Sequence, residues 1–235
     1  MGRRTLTQRL DQLPVRMEQH ELLVGTRFVT YGVLVPKTPP PAAGYPLIVG
    51  LHFGTPEGPG LSPYFGLGYL GQLVLPALQD LNAVIVAPDA PEDTWAHPGS
   101  EEAVLAVVAD VKKRTAIDGK RTLVTGFSMG GRGAWFFAQT HPEVFRAAIP
   151  MAAAPRAESE GDALIAPLKM PVYAIHSRAD RTVPLDRVER GVKALQDQGG
   201  NVTLVLIDDI AHNMIPGFIE PLAGAVPWVK QVWSR

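Results

Sequence analysis

Six short apolar runs constrain what this chain can fold into: Leu47 to Leu51, Ala83 to Ala87, Leu123 to Thr125, Ala147 to Met151, Val172 to Ile175 and Val202 to Ile207. They are rich in β-branched residues, which suits strands buried on both faces of a parallel sheet. Helical spacings lie between them. Ser100 reads as an N-cap, with Glu101 and Glu102 in the first turn and Val104, Val108 and Val111 on one face. Leu185 to Gln198 aligns Val188, Val192 and Leu195 and stops at Gly199-Gly200. Strand and helix in alternation predict an α/β fold: a mostly parallel central sheet with helices on both faces. Upstream, Glu21 to Val24 and Phe28 to Val35 read as an antiparallel strand pair. The four prolines between Pro36 and Gly44 mark a loop rather than a domain boundary. Residues 1–235 are expected to form a single domain.

The sequence closes off several classes of function. A formal charge of -1, from 22 basic and 23 acidic side chains, gives no electrostatic reason to expect nucleic acid or an anionic membrane as partner. No cysteine is present, so disulfides, thiolate metal sites and a cysteine nucleophile are excluded. Asp11, Gln12, Pro14 and Arg16 interrupt every apolar run near the N-terminus, which argues against a signal peptide, and no run is long enough to span a bilayer. The expectation is a cytoplasmic protein with a small-molecule substrate.

Chemistry enters at Gly126-Phe127-Ser128-Met129-Gly130-Gly131. This Gly-x-Ser-x-Gly stretch follows the strand-like Thr122 to Thr125 and precedes the helix-like Arg132 to Gln139. A serine on a sharp strand-to-helix turn needs small neighbours, because side chains there would strike adjacent backbone. Gly130, Ala134 and Ala138 then form a small-residue stripe that lets the helix lie close to the sheet, while Trp135 and Phe136 read as core.

A serine hydroxyl needs a base to take its proton and an acid to orient that base. On a parallel sheet of this kind the expected chain order is Ser, acid, His, with each residue in a loop after a strand. Asp180 follows Val172 to Ile175, and His212 follows Val202 to Ile207, at separations of 52 and 32 residues. Asp208 and Asp209 are rivals for the acid, but their loop would have to fold back on His212. Asp89 precedes the serine and reads as a loop-ordering or pocket residue. Among the other histidines, His20 and His97 read as surface, His141 as a helix-end residue, and His52 and His176 as strand-end residues bonded to loop backbone.

Acyl transfer also requires donors for the developing oxyanion. The backbone N–H of Met129 is one candidate, and that of Phe53, in the loop after Leu47 to Leu51, is the other. The glycines from Gly54 to Gly60 lack the Gly-Lys-Ser/Thr ending of a phosphate loop.

With these residues assembled, the chain resembles the α/β-hydrolase superfamily over nearly its whole length. It is closest to the compact phospholipase/carboxylesterase, dienelactone hydrolase and predicted-peptidase group, on Gly126 to Gly131, His141-Pro142, Phe145, His176, Asp180 and Val183-Pro184. The resemblance implies a serine esterase for small or medium carboxylic esters, with Ser128 as nucleophile, Asp180 as acid, His212 as base and no cofactor or metal. A peptidase, an acyltransferase or a non-catalytic binding protein on the same fold are the alternatives. Where the group commonly has His-Gly after the first buried parallel strand, this chain has His52-Phe53-Gly54. It also has His176-Ser177 where His-Gly commonly precedes the acid. Pro155 to Lys169 is the only candidate insertion and is too short for a cap domain, which implies an open site walled by Phe53, Trp95, Met129 and Met214.

Overall fold

The computed structural model of the chain describes residues 13–54, 58, 63–155 and 167–235. Its strands are β1 (Val15–Val24), β2 (Arg27–Pro36), β3 (Tyr45–Leu51), β4 (Val84–Pro88), β5 (Ile117–Phe127), β6 (Ala147–Met151), β7 (Val172–Ser177) and β8 (Val202–Ile207). They form one sheet in the order β1-β2-β4-β3-β5-β6-β7-β8. β1 and β2 pair antiparallel, β2 joins β4 antiparallel, and every pairing from β4 to β8 is parallel. All residues of β3, β4 and β6 are buried, as their unbroken apolar sequences require.

Alternate residues face opposite layers. Leu47, Val49, Leu51, Val124 and Val172 pack on one side against α3 (Pro98–Arg114), α4 (Met129–Thr140) and α5 (Leu185–Asp197). On the other side Ile48, Ile85, Leu123, Ile149 and Ile175 meet a second helical layer. That layer contains α1 (Phe65–Tyr69), a π-helical turn (Leu70–Val74), α2 (Leu75–Leu78), α6 (Ile219–Ala223) and α7 (Val226–Trp233). Burying one Leu, Ile or Phe side chain contributes about 1.5–3 kcal/mol, so both layers are needed to offset chain entropy.

Several local readings are corrected. β1 begins six residues earlier than expected, at Val15: it is an edge strand, half exposed, and its polar alternation hides it. α3 is capped by His97, whose Nδ1 accepts from Gly99 N at 3.1 Å; Ser100 lies inside the helix and is fully buried. His20 is half-buried against the Tyr31 ring rather than free on the surface. Asp89, by contrast, has the loop-ordering role expected of it, its carboxylate accepting from Tyr64 N at 2.5 Å, Gly66 N at 2.8 Å and Thr30 Oγ1 at 2.5 Å. The insertion expected between Pro155 and Lys169 lies largely outside the described residues. Among those residues no helix is long and apolar enough to cross a membrane.

Strand order reverses around β3, with β4 on one flank and β5 on the other. In open α/β sheets the crevice at such a switch point, beyond the carboxyl ends of the strands, is where ligands sit. The loop containing Phe53 and the turn containing Ser128 both emerge there.

Candidate active site

Ser128 occupies the turn between β5 and α4 with φ 55° and ψ -112°, a region of backbone space that disfavours L side chains. The turn is held because its neighbours leave no room for anything else. A Cβ on Gly126 would stand 2.1 Å from the Gly130 oxygen, and one on Gly130 would stand 1.8 Å from the Leu51 oxygen. Ser128 N donates to Met151 O at 3.0 Å, tying the turn to the end of β6.

Three side chains from three loops meet here. Ser128 Oγ lies 2.9 Å from His212 Nε2, and His212 Nδ1 lies 2.7 Å from Asp180 Oδ2. The Asp180 side chain is fully enclosed. Its Oδ1 accepts from Thr182 N at 2.8 Å and Val183 N at 2.9 Å, so both oxygens of the carboxylate are engaged and its orientation is fixed. An ionised carboxylate only accepts, so Nδ1 carries the proton toward Asp180 and a neutral ring offers Nε2 to the serine hydroxyl. The rival Asp208 is exposed and pairs instead with Arg178 Nε at 3.2 Å. A hydroxyl, an imidazole and a carboxylate in series can move one proton off the oxygen and return it to a leaving group.

The backbone N–H groups of Phe53 and Met129 have no hydrogen-bond partner among the described residues. Phe53 is half-buried, its ring edge-on to Phe65 at 5.3 Å and Phe127 at 6.5 Å. Of the other residues expected to wall the site, Met129 lines a cavity of about 470 Å³ beside the turn. Trp95 does not line it: the side chain is fully buried and its indole N–H donates to His52 O at 3.0 Å, so the expectation of a substrate contact there is corrected. Met214 is 52% exposed and does not line that cavity. Two residues that the sequence did not point to as site residues, Arg132 and Phe136, share the cavity with Met129. Spacings of three and four residues along α4 put them on one face, a signal that reading Phe136 as core obscures. Trp135, by contrast, is fully buried, with Nε1–H donating to Ala153 O at 3.1 Å.

His52 and His176 frame the site without touching Ser128. Ala90 N donates to His52 Nε2 at 3.0 Å, which leaves Nδ1 to carry the proton and donate to Phe53 O at 2.8 Å. His176 Nε2 donates to Val183 O at 3.0 Å, bracing the loop that holds Asp180. Burial pushes both rings below the ordinary histidine pKa, against the opposing pull of the Phe53 carbonyl on one and the Asp180 charge on the other. Below about pH 6.5 the unfolded chain therefore binds protons that the folded chain refuses, and stability falls with pH at up to about 1.4 kcal/mol per unit for each ring. Urea unfolding is expected to give a lower free energy at about pH 5.5 than at about pH 7.5, with a shallower fall for His176→Gln. A flat profile in the wild type would contradict this. Among the described residues no group of three or more His, Asp or Glu side chains is placed to hold a metal ion.

The model of the dienelactone hydrolase family matches residues 92–223, more than half of the chain. The chain belongs to the dienelactone hydrolase family. A curated relative from Salmonella typhi, named "Putative carboxymethylenebutenolidase", is 27% identical over 142 residues, or 54% of this chain and 48% of the relative. The chain thus spans about half the length of that relative. Among solved structures, a thermostable esterase aligns with a TM-score of 0.65 at 24% identity, over 94% of this chain and 60% of its own. A ferulic acid esterase aligns with a TM-score of 0.71 at 17% identity, over 93% of this chain and 98% of its own. The sheet of this dienelactone hydrolase family member is the α/β-hydrolase sheet that the sequence led us to expect.

Proposed function

We propose that this protein is a serine hydrolase that cleaves small or medium carboxylic esters through an acyl-enzyme on Ser128. The observation that carries the reading is the continuous series Ser128 Oγ, His212, Asp180, with contacts of 2.9 and 2.7 Å, on a strained strand-to-helix turn. Ser128 Oγ attacks the ester carbonyl carbon while its proton passes to His212 Nε2. The carbonyl oxygen becomes an oxyanion and accepts from the N–H groups of Phe53 and Met129, each such donor being worth about 3 kcal/mol in a water-poor site. Collapse of the adduct breaks the carbon–oxygen bond to the alcohol, which leaves with the proton from His212. Water then attacks the acyl-enzyme by the same route, gives its proton to His212, and the acid departs as Ser128 recovers its own. Asp180 stays ionised throughout and stabilises the imidazolium formed in each half.

The cavity bounded by Met129, Arg132 and Phe136 is assigned to the substrate, next to the nucleophile. A fluorophosphonate probe followed by mass-spectrometric mapping is expected to modify Ser128 alone. Labelling elsewhere, or none, would remove the acyl-enzyme from the mechanism. Parallel turnover of p-nitrophenyl esters, lactones and peptide amides then ranks the leaving groups.

A further inference from the structure

The peptide unit joining His52 to Phe53 is gripped from behind by a buried indole. Trp95 Nε1–H donates to the His52 carbonyl oxygen at 3.0 Å, and Trp95 is fully buried. No peptide bond among the described residues is cis. In a trans unit the C=O and the following N–H point in opposite directions in one plane. Whatever fixes the His52 oxygen therefore fixes the bearing of Phe53 N–H, the group left without a partner at the mouth of the site.

Trp95 is itself immobilised by the helix that carries Met129. A Cβ on Gly133 of α4 would stand 2.6 Å from Trp95 Cβ and 2.9 Å from its Cγ, so helix and indole are in direct contact. The His52 ring meets the indole edge-on at 5.0 Å. One side chain thus sets the Phe53 donor relative to the helix whose first residue supplies the other. His52 restrains the next peptide unit through its bond to Phe53 O.

We infer that Trp95 is a positioning residue for transition-state stabilisation: its indole N–H aims the Phe53 N–H at the oxygen of the reacting carbonyl. This rests on the ester-hydrolase reading of Ser128. A Trp that merely filled space would serve equally well without its N–H. A Trp that aims a donor would not.

The test replaces Trp95 with 3-benzothienylalanine, which keeps the ring shape and puts sulfur where the N–H was, and separately makes Trp95→Phe. With p-nitrophenyl acetate, kcat is expected to fall about 10- to 100-fold with KM within about twofold of wild type, the signature of an interaction made in the transition state. Affinity for a boronic acid, whose tetrahedral adduct on Ser128 places a hydroxyl in the oxyanion position, falls by the same factor. Inhibition by product carboxylate stays unchanged, and the isostere melts within a few degrees of wild type. Unchanged kcat in the isostere overturns the inference. Equal loss of boronate and product affinity together with a lowered Tm, in either variant, overturns it as well, since that is the mark of a packing residue. Failure of wild-type Ser128 to take the fluorophosphonate sinks the underlying reading instead. Labelled wild type with an indifferent isostere sinks this inference alone.

Discussion

Ser128→Ala is expected to lower kcat for p-nitrophenyl ester hydrolysis on the order of 10⁵- to 10⁶-fold, with the melting temperature unchanged. The loss is large because the hydroxyl is the only atom near His212 Nε2 that the mechanism uses to attack carbon. Stability is spared because alanine keeps the Cβ and therefore the same backbone strain at φ 55°. Ser128→Gly separates the two effects: it is equally inactive, but relief of the left-handed strain makes it about 1 kcal/mol more stable. Active-site-titrated kinetics beside thermal melts give both readouts. Retention of a tenth of the wild-type kcat by the alanine variant would eliminate Ser128 as nucleophile.

Asp180→Asn is the second large effect, on the order of 10⁴-fold in kcat, and it acts through the tautomer of His212. An amide can turn either way, but here the surroundings choose. Thr182 N and Val183 N both donate to Oδ1, so the amide oxygen must take that position and the NH₂ must face His212. The NH₂ donates to Nδ1, which forces the ring proton onto Nε2. The nitrogen beside Ser128 then carries a proton when it should accept one. A ¹⁵N spectrum of His212 reports the swap directly. Near wild-type activity, or an unswapped tautomer, would show that Asp180 does not orient the base.

The order of Ser128, Asp180 and His212 is legible because each follows a strand with an unmistakable apolar run: β5 and β7 lie inside the sheet, and β8, though it forms the edge, keeps the run Val202 to Ile207. The acid's surroundings are less so, since nothing in Thr182 or Val183 as side chains reveals that their backbone N–H groups converge on one oxygen. The layer from 65 to 81 is hidden for a different reason. Gly66, Gly68, Gly71 and Pro76 have the composition of a loop, yet Gly66 is required where α1 crosses β4, a Cβ there falling 2.8 Å from that of Ala87. Trp95 shows how an aromatic near a site misleads. Its proximity to the Phe53 loop is real, but the side chain faces the interior and serves the backbone. The cap of α3 shows the same limit on a smaller scale: a histidine before a proline outcompetes the better-known serine three residues on, because that serine is already within the helix.

The tight seat of the Ser128 turn has a consequence for large-scale mutagenesis. Gly126, Gly130 and Gly131 touch no substrate in the mechanism, yet a Cβ on them would fall 2.1, 1.8 and 2.4 Å from the oxygens of Gly130, Leu51 and Met151. In a saturation library scored by esterase survival alone, these three positions and Ser128 would form one indistinguishable block of intolerance. Scored also for cellular abundance, the block splits: glycine variants disappear from the soluble pool, whereas Ser128→Ala accumulates as full-length, silent protein.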